Sequence, residues 1–150
     1  MKSLAKIVAT VVYVGYAPIA PGTAASAAAA ILLWLIPGME PVTSITIVLV
    51  LIVVGIWASS QAEHIYGHDA SKIVIDEFAG YFLAVLLLPK TWLLLLLGFF
   101  IFRFFDIFKP YPLRRAERLK GGFGVMADDL MAGIYTNILL RIGIWVLNTV

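Results

Sequence analysis

Along this chain long apolar runs alternate with short polar punctuation. The runs are Gly22–Ile36, Pro41–Ser59, Ile73–Leu88, Trp92–Phe105 and Leu130–Val150, each parted from the next by polar or proline-containing residues. A helix needs about 20 apolar residues to span a hydrocarbon core of about 30 Å. Five spanning or partly spanning helices fit the pattern, the shorter ones drawing polar residues into their ends. The first run extends back through Ile7 to Tyr16, but Pro18, Pro21 and Gly22 interrupt it and free backbone groups that need other partners. Lys2 and Lys6 before Ile7–Val14 suggest a secretory leader, yet cleavage after Ala20 would leave Pro21 beyond the cut, so the amino terminus is expected to stay.

Composition agrees with the pattern. Hydrophobic residues make up 62% of the chain and charged residues 13%, with a mean hydropathy of +0.99. Soluble domains carry about 25% charged residues, so the bilayer is the natural solvent, and the expected fold is an all-α polytopic membrane bundle. At 150 residues the chain reads as one domain, 1–150. The absence of cysteine excludes disulfides, thiolate metal sites and cysteine nucleophiles. A net charge of +2 gives no reason to expect a nucleic-acid partner.

The positions of the charges matter more than their sum. With the amino terminus inside, the inner segments 1–21, 60–72 and 106–129 hold Lys2, Lys6, Lys72, Lys109, Arg114, Arg115, Arg118 and Lys120, while the outer turns hold Lys90. This obeys the positive-inside rule. The same layout brings Glu63, Asp69, Asp76, Glu77, Asp106, Glu117, Asp128 and Asp129 to or near the cytoplasmic face, with Glu40 opposite.

Four segments carry candidate chemistry. In Lys72–Gly80, which reads as a helix entering the membrane, Asp76 and Glu77 lie among apolar residues and Lys72 shares a face with Asp76. Each charge at mid-bilayer costs about 2.5–3.5 kcal/mol on insertion scales, so the pair needs partners or a cation; an interfacial anchor tied to Lys72 is the plainer alternative. In Phe102–Pro112, Arg103, Asp106 and Lys109 fall on one stripe, and Pro110 ends the helix; a local salt bridge with snorkelling ends would also account for them. In Gly121–Gly133, three glycines in four residues predict a turn, after which Asp128 and Asp129 open the last long helix. The helix dipole favours an acid there but explains only one of the two, and Gly80 and Gly133 would admit close helix approach. Gly15–Ser26 ends at a predicted helix start whose free amides, with Thr23 and Ser26, suit an anion, although most such turns are merely caps.

Together these segments supply five carboxylates, three cations and an amide-rich turn. Hard divalent ions take oxygen ligands, and Mg²⁺ commonly binds one or two carboxylates together with water and phosphate. Basic side chains hold the remaining phosphate oxygens. His64 and His68 are four apart but too few for a metal site, and a solvated helix end accounts for them.

The motifs Ala-Pro-Gly-Thr within 15–26, Ile-Val-Ile-Asp-Glu-Phe-Ala-Gly within 69–80, Phe-Arg-Phe-Phe-Asp-Ile-Phe-Lys-Pro within 102–112 and Asp-Asp-Leu-Met-Ala-Gly within 122–133 resemble, in order, those of the phosphatidylglycerophosphatase A family. The departures are Asp69-Ala70-Ser71 for a frequent Asp-Pro-Ser, and Thr-Ala-Ala-Ser at 23–26 for a frequent Thr-x-Gly-Ser. The resemblance implies an Mg²⁺-dependent multi-pass phosphatase of the bacterial inner membrane that converts phosphatidylglycerophosphate to phosphatidylglycerol on the cytoplasmic side. It also implies a central helix ringed by others.

On that reading Asp76, Glu77, Asp106, Asp128 and Asp129 are the catalytic and metal-binding candidates, and Thr23, Ser26, Lys72, Arg103 and Lys109 bind substrate. The basic run Arg114, Arg115, Arg118 and Lys120 is expected to touch anionic headgroups. The competing classes are a small ion-coupled transporter, slightly favoured by Arg141, and a noncatalytic scaffold for anionic lipid. The first lacks an internal repeat, and the second leaves the clustered acids repelling one another for no gain.

Overall fold

The computed structural model describes residues 2–67, 70–111, 113, 119 and 121–149. His68, Asp69, Arg114, Arg115, Glu117, Arg118 and Lys120 lie outside them, so the expectations placed on those residues are not addressed by the fold. The described residues form six helices and no strand: α1 (Lys2–Ala9), α2 (Pro21–Leu35), α3 (Pro41–Tyr66), α4 (Ile75–Ala84), α5 (Trp92–Phe108) and α6 (Gly121–Thr149), with a 3-10 turn at Val14–Tyr16.

The sequence marks several helix ends. Pro21 and Pro41 occupy the first turns of α2 and α3, where proline's missing N–H costs nothing. The Thr91 side chain accepts from Leu94 N at 3.2 Å and caps α5. Pro110 ends α5 as expected, and Lys109 closes that helix in the left-handed region at φ 42°. Two helices, α3 with 26 residues and α6 with 29, are long and apolar enough to cross a bilayer. At 1.5 Å per residue they measure about 39 and 44 Å.

The third apolar run departs from the expectation of a crossing. Within Ile73–Leu88 the helix is only the ten residues of α4, and Ile75, Asp76 and Phe78 through Phe82 are buried. Tyr81 is wholly enclosed, and its hydroxyl donates to Leu95 O at 2.6 Å. This short helix is the centre of the bundle, packed on α2, α3, α5 and α6. Around it Ala58, Ala62, Phe102, Val125, Met126 and Ala132 complete the core. Large apolar side chains face outward instead from the surrounding helices, among them Leu35, Val53, Phe100, Phe104 and Trp145.

A second correction concerns Gly121–Gly124. These residues form the start of α6 and not a turn before it, so Asp128 and Asp129 lie beyond the first turn, outside the reach of the favourable end of the helix dipole. Glycine is needed here for close approach: a Cβ on Gly122 would come within 2.5 Å of Ser60 N and Oγ. Gly122 N in turn donates to Ser60 Oγ at 3.0 Å, tying the start of α6 to α3.

A third concerns Arg141. Its partners lie within the bundle. Its guanidinium donates to Leu86 O at 3.0 Å and to Asn137 Oδ1 at 2.7 Å, while Asn137 donates to Leu83 O, Ala84 O and Leu86 O at 3.3, 3.1 and 3.0 Å. The two side chains satisfy the carbonyls at the carboxyl end of α4. The transporter reading thereby loses the residue that favoured it.

Candidate active site

The first turn of α4 carries Asp76 and Glu77, and α6 brings Asp129 beside them. Each of the three offers an oxygen, and these oxygens all lie within 4.8 Å of one another. Glycines set the approach. A Cβ on Gly80 would stand 2.8 Å from Asp129 O, and one on Gly133 would press on the Gly80 carbonyl, so α4 and α6 cross backbone to backbone at these positions. On the other side Gly22, in the first turn of α2, lies against the Glu77 carboxylate, where a Cβ would meet Cδ at 2.7 Å.

Asp106 and Asp128 flank this trio, each joined to a cation. Arg103 pairs with Asp106 one turn along α5. Lys109 Nζ reaches Asp128 Oδ2 at 2.6 Å. The single stripe expected for Arg103, Asp106 and Lys109 therefore splits, because the left-handed turn at Lys109 swings its side chain toward α6. Asp129 feels the charges of Asp106, Asp76, Glu77 and Asp128, and Glu77 feels Arg103, so all five expected carboxylates share one electrostatic neighbourhood.

Both signs of unmet demand occur there. Asp76 Oδ1, Glu77 Oε2 and Asp129 Oδ1 are buried without a hydrogen-bond partner, and so is Arg103 Nε. A buried carboxylate without partners is costly. Three converging carboxylates, each with such an oxygen, suit a hard cation with oxygen ligands, and the orphaned guanidinium N–H of Arg103, whose charge reaches Glu77, suits an anion.

Three expected substrate contacts stand differently. Ser26 is fully buried and its Oγ donates to Gly22 O at 3.0 Å, so its hydroxyl proton serves α2 itself. Thr23 lies half-buried in the first turn of α2. Lys72 precedes α4 and shares no helix face with Asp76; among the described residues no ion pair joins them, and its ammonium sits 5.1 Å from the Tyr16 ring centre and 5.5 Å from that of Tyr66. The two tyrosine hydroxyls hydrogen-bond each other at 2.6 Å. Sequence reasoning passed over Tyr16, Tyr66, Asn137 and the contact of Gly22 with Glu77. Only the four-residue spacing of Asn137 and Arg141 carried a signal in advance.

Buried acids without partners next to a guanidinium suit chemistry on phosphate, and the apolar exterior suits a protein that meets lipid. The family model for phosphatidylglycerophosphatase A matches residues 7–144, and the chain belongs to that family of phosphatases. Among curated relatives it is 39% identical over 124 residues to phosphatidylglycerophosphatase A of Escherichia coli, covering 80% of this chain and 72% of that one. It is 46% identical over 83 residues to the Haemophilus influenzae protein of the same name, covering 53% and 51%. A putative phosphatidylinositol-3-phosphatase of Bacteroides thetaiotaomicron is 36% identical over 142 residues, 89% of each chain. No solved structure matches.

Proposed function

We propose that the protein hydrolyses the terminal phosphomonoester of phosphatidylglycerophosphate, releasing inorganic phosphate and phosphatidylglycerol, with Mg²⁺ held by Asp76, Glu77 and Asp129. The observation that carries this reading is the convergence of three carboxylates, each with a buried oxygen that lacks a hydrogen-bond partner, near an unpartnered Arg103 nitrogen. When bound, Mg²⁺ supplies positive charge against the phosphoryl oxygens and completes its shell with water and phosphate.

The chain's own residues do the rest. Arg103 donates to the phosphoryl oxygens and neutralises charge as it grows in the transition state. Asp106 pairs with Arg103 and Asp128 pairs with Lys109, which orients both cations beside the acidic trio. Water's oxygen forms the new bond to phosphorus as the bond to the glycerol oxygen breaks. A carboxylate not engaged by the ion takes the water proton and passes it to the departing alkoxide, which leaves as the alcohol.

The outward apolar side chains of α2, α3, α5 and α6 support a bilayer setting. With α3 and α6 as full spans and the shorter helices packed between or beside them, the acidic centre belongs at the cytoplasmic leaflet of the bacterial inner membrane, where Lys and Arg concentrate. A phosphoinositide monoester, the substrate class in one relative's name, is the competing substrate.

Phosphate release by the purified chain in neutral detergent decides the matter. The substrates to compare are phosphatidylglycerophosphate, phosphatidic acid and phosphatidylinositol 3-phosphate, each with Mg²⁺ and with chelator. Preferential hydrolysis of the first, abolished by chelator and restored by Mg²⁺, is expected. Turnover indifferent to chelator rejects the ion, and faster release from the phosphoinositide rejects the substrate.

A further inference from the structure

Two lysines distant in the chain converge on one pair of tyrosines. Lys6 on α1 lies 5.5 Å from the centre of the Tyr16 ring, and Lys72, in the segment leading into α4, lies 5.1 Å from the same ring and 5.5 Å from that of Tyr66. The Tyr16 ring attracts both ammonium groups, and an anion seated at the phenol pair would gain from both charges. The phenols add a donor: in a hydroxyl pair only one O–H is spent on the partner, so the 2.6 Å Tyr16–Tyr66 bond leaves the other free to turn outward. Tyr16 beside Lys6 raises that lysine's pKa above its ordinary value, so it remains a cation.

The cluster has a fixed relation to the acidic centre. Gly15 is buried against the Lys72 backbone, where a Cβ would stand 3.0 Å from the carbonyl carbon, and Gly22 is buried against Glu77. Segment 15–22 therefore runs alongside segment 72–77, with the lysine and tyrosine cluster at one end and the carboxylates at the other. Five residues separate Lys72 from Glu77, so their Cα atoms are at most about 18 Å apart. The turn that presents Tyr16 is itself held in an unfavourable shape, with Val11, Val12 and Tyr13 at φ 46°, 51° and 70°.

We propose that Lys6, Tyr16, Tyr66 and Lys72 form a second anion subsite that takes the phosphodiester of the lipid substrate while the carboxylate centre takes its terminal phosphomonoester. The inference rests on the substrate assigned above. It gives that assignment a physical basis for choice, because phosphatidic acid carries the monoester and no second phosphate. A subsite built to pair with a charged group discriminates against the analogue lacking it.

The test uses Lys6→Met and Lys72→Met, singly and together, in micelles of uncharged detergent so that no anionic surface contributes. For phosphatidylglycerophosphate each substitution should raise KM roughly tenfold at unchanged kcat, as expected for loss of a charge-assisted hydrogen bond. For phosphatidic acid the change should stay below about twofold, and Lys72→Arg should retain most of the wild-type KM. Equal losses on both lipids, or no loss on the diphosphorylated one, overturn the subsite.

Direct binding of phosphatidylglycerol, which keeps the phosphodiester and lacks the monoester, separates the two proposals. If the wild-type chain fails to hydrolyse phosphatidylglycerophosphate but binds phosphatidylglycerol through Lys6 and Lys72, the catalytic assignment falls and the subsite stands. Phosphatidylglycerol binding that ignores both lysines removes the subsite whatever the turnover.

Discussion

Alanine at position 22 puts a methyl group where the Glu77 carboxylate now lies. The added Cβ would overlap Glu77 Oε1 and stand 2.7 Å from Cδ, whereas ordinary contact begins at 3.4 Å, so the carboxyl carbon must retreat by about 0.7 Å and the oxygen by more. The obstructing atoms are the end of a flexible side chain, so Glu77 moves and the helices stay. A misplacement of about 1 Å in a catalytic constellation costs up to about 100-fold. Gly22→Ala is therefore expected to lose roughly 10- to 100-fold in turnover at fixed Mg²⁺, with part of the loss recovered at higher Mg²⁺ and the unfolding midpoint little changed. Phosphate release across a Mg²⁺ titration measures this. Shortening the neighbour should help: Gly22→Ala combined with Glu77→Asp should lose less than the sum of the two single changes, the mark of direct contact. Gly143→Ala is the control, since nothing lies within 4 Å of its added Cβ. Wild-type turnover and Mg²⁺ dependence in Gly22→Ala would show that Glu77 is not part of the ion's shell.

Other consequences are equally open to measurement. Asp76→Asn and Asp129→Asn should each lower turnover by on the order of 100-fold or more. Because each removes a buried charge, their unfolding midpoint in chelator should not fall, while the upward shift given to wild type by Mg²⁺ should vanish; a retained shift would take that residue out of the ion's shell. Asn137→Ala should cost about 1–3 kcal/mol by leaving α4 carbonyls unpaired, and Arg141→Ala less, because Leu86 O keeps its bond from Asn137; turnover per folded molecule should be preserved in both, as read by thermal unfolding and assay of the same preparation. Tyr81→Phe removes a second bond to Leu95 O, which keeps its partner within α5, and should cost about 0.5–1.5 kcal/mol; an unchanged midpoint would mean that this bond adds nothing to stability.

How far the sequence foretold this arrangement depends on which force decides each element. Helix starts at Pro21, Pro41 and Thr91 and the stop at Pro110 were legible because they follow from backbone chemistry local to those residues. The acids were legible because a carboxylate among apolar residues is costly wherever it lies, and Asp76, Glu77 and Asp129 do converge. What misled was hydropathy taken as length. Ile73–Leu88 is as apolar as a membrane span, yet the hydrophobicity of α4 serves burial by neighbouring helices, and composition does not separate contact with lipid from contact with protein. The glycines at 121–124 misled for a related reason. Their low helix propensity predicts a turn, but close packing against Ser60 outweighs it, and that partner is 62 residues away. Arg141 shows the same limit: its partners at Leu86 and Leu87 exist only once α4 has ended where it does.

One register accounts for much of the design. Asp129 meets Asp76, Gly133 meets Gly80 and Asn137 meets Ala84, three contacts with the same offset of 53 residues. Arg141 continues the series onto the carbonyls just beyond α4. Positions 129, 133, 137 and 141 are one ridge of four-residue steps on α6, laid parallel along α4. An acid completes the carboxylate cluster, a glycine admits the neighbouring backbone, and an amide and a guanidinium close the helix end. α5 returns beside them in the opposite sense, since Gly98 lies against Val85 while Phe102 lies against Gly80. The central helix can be short because α6 supplies partners at both its ends, an acid at its first turn and an amide and a guanidinium at its last carbonyls.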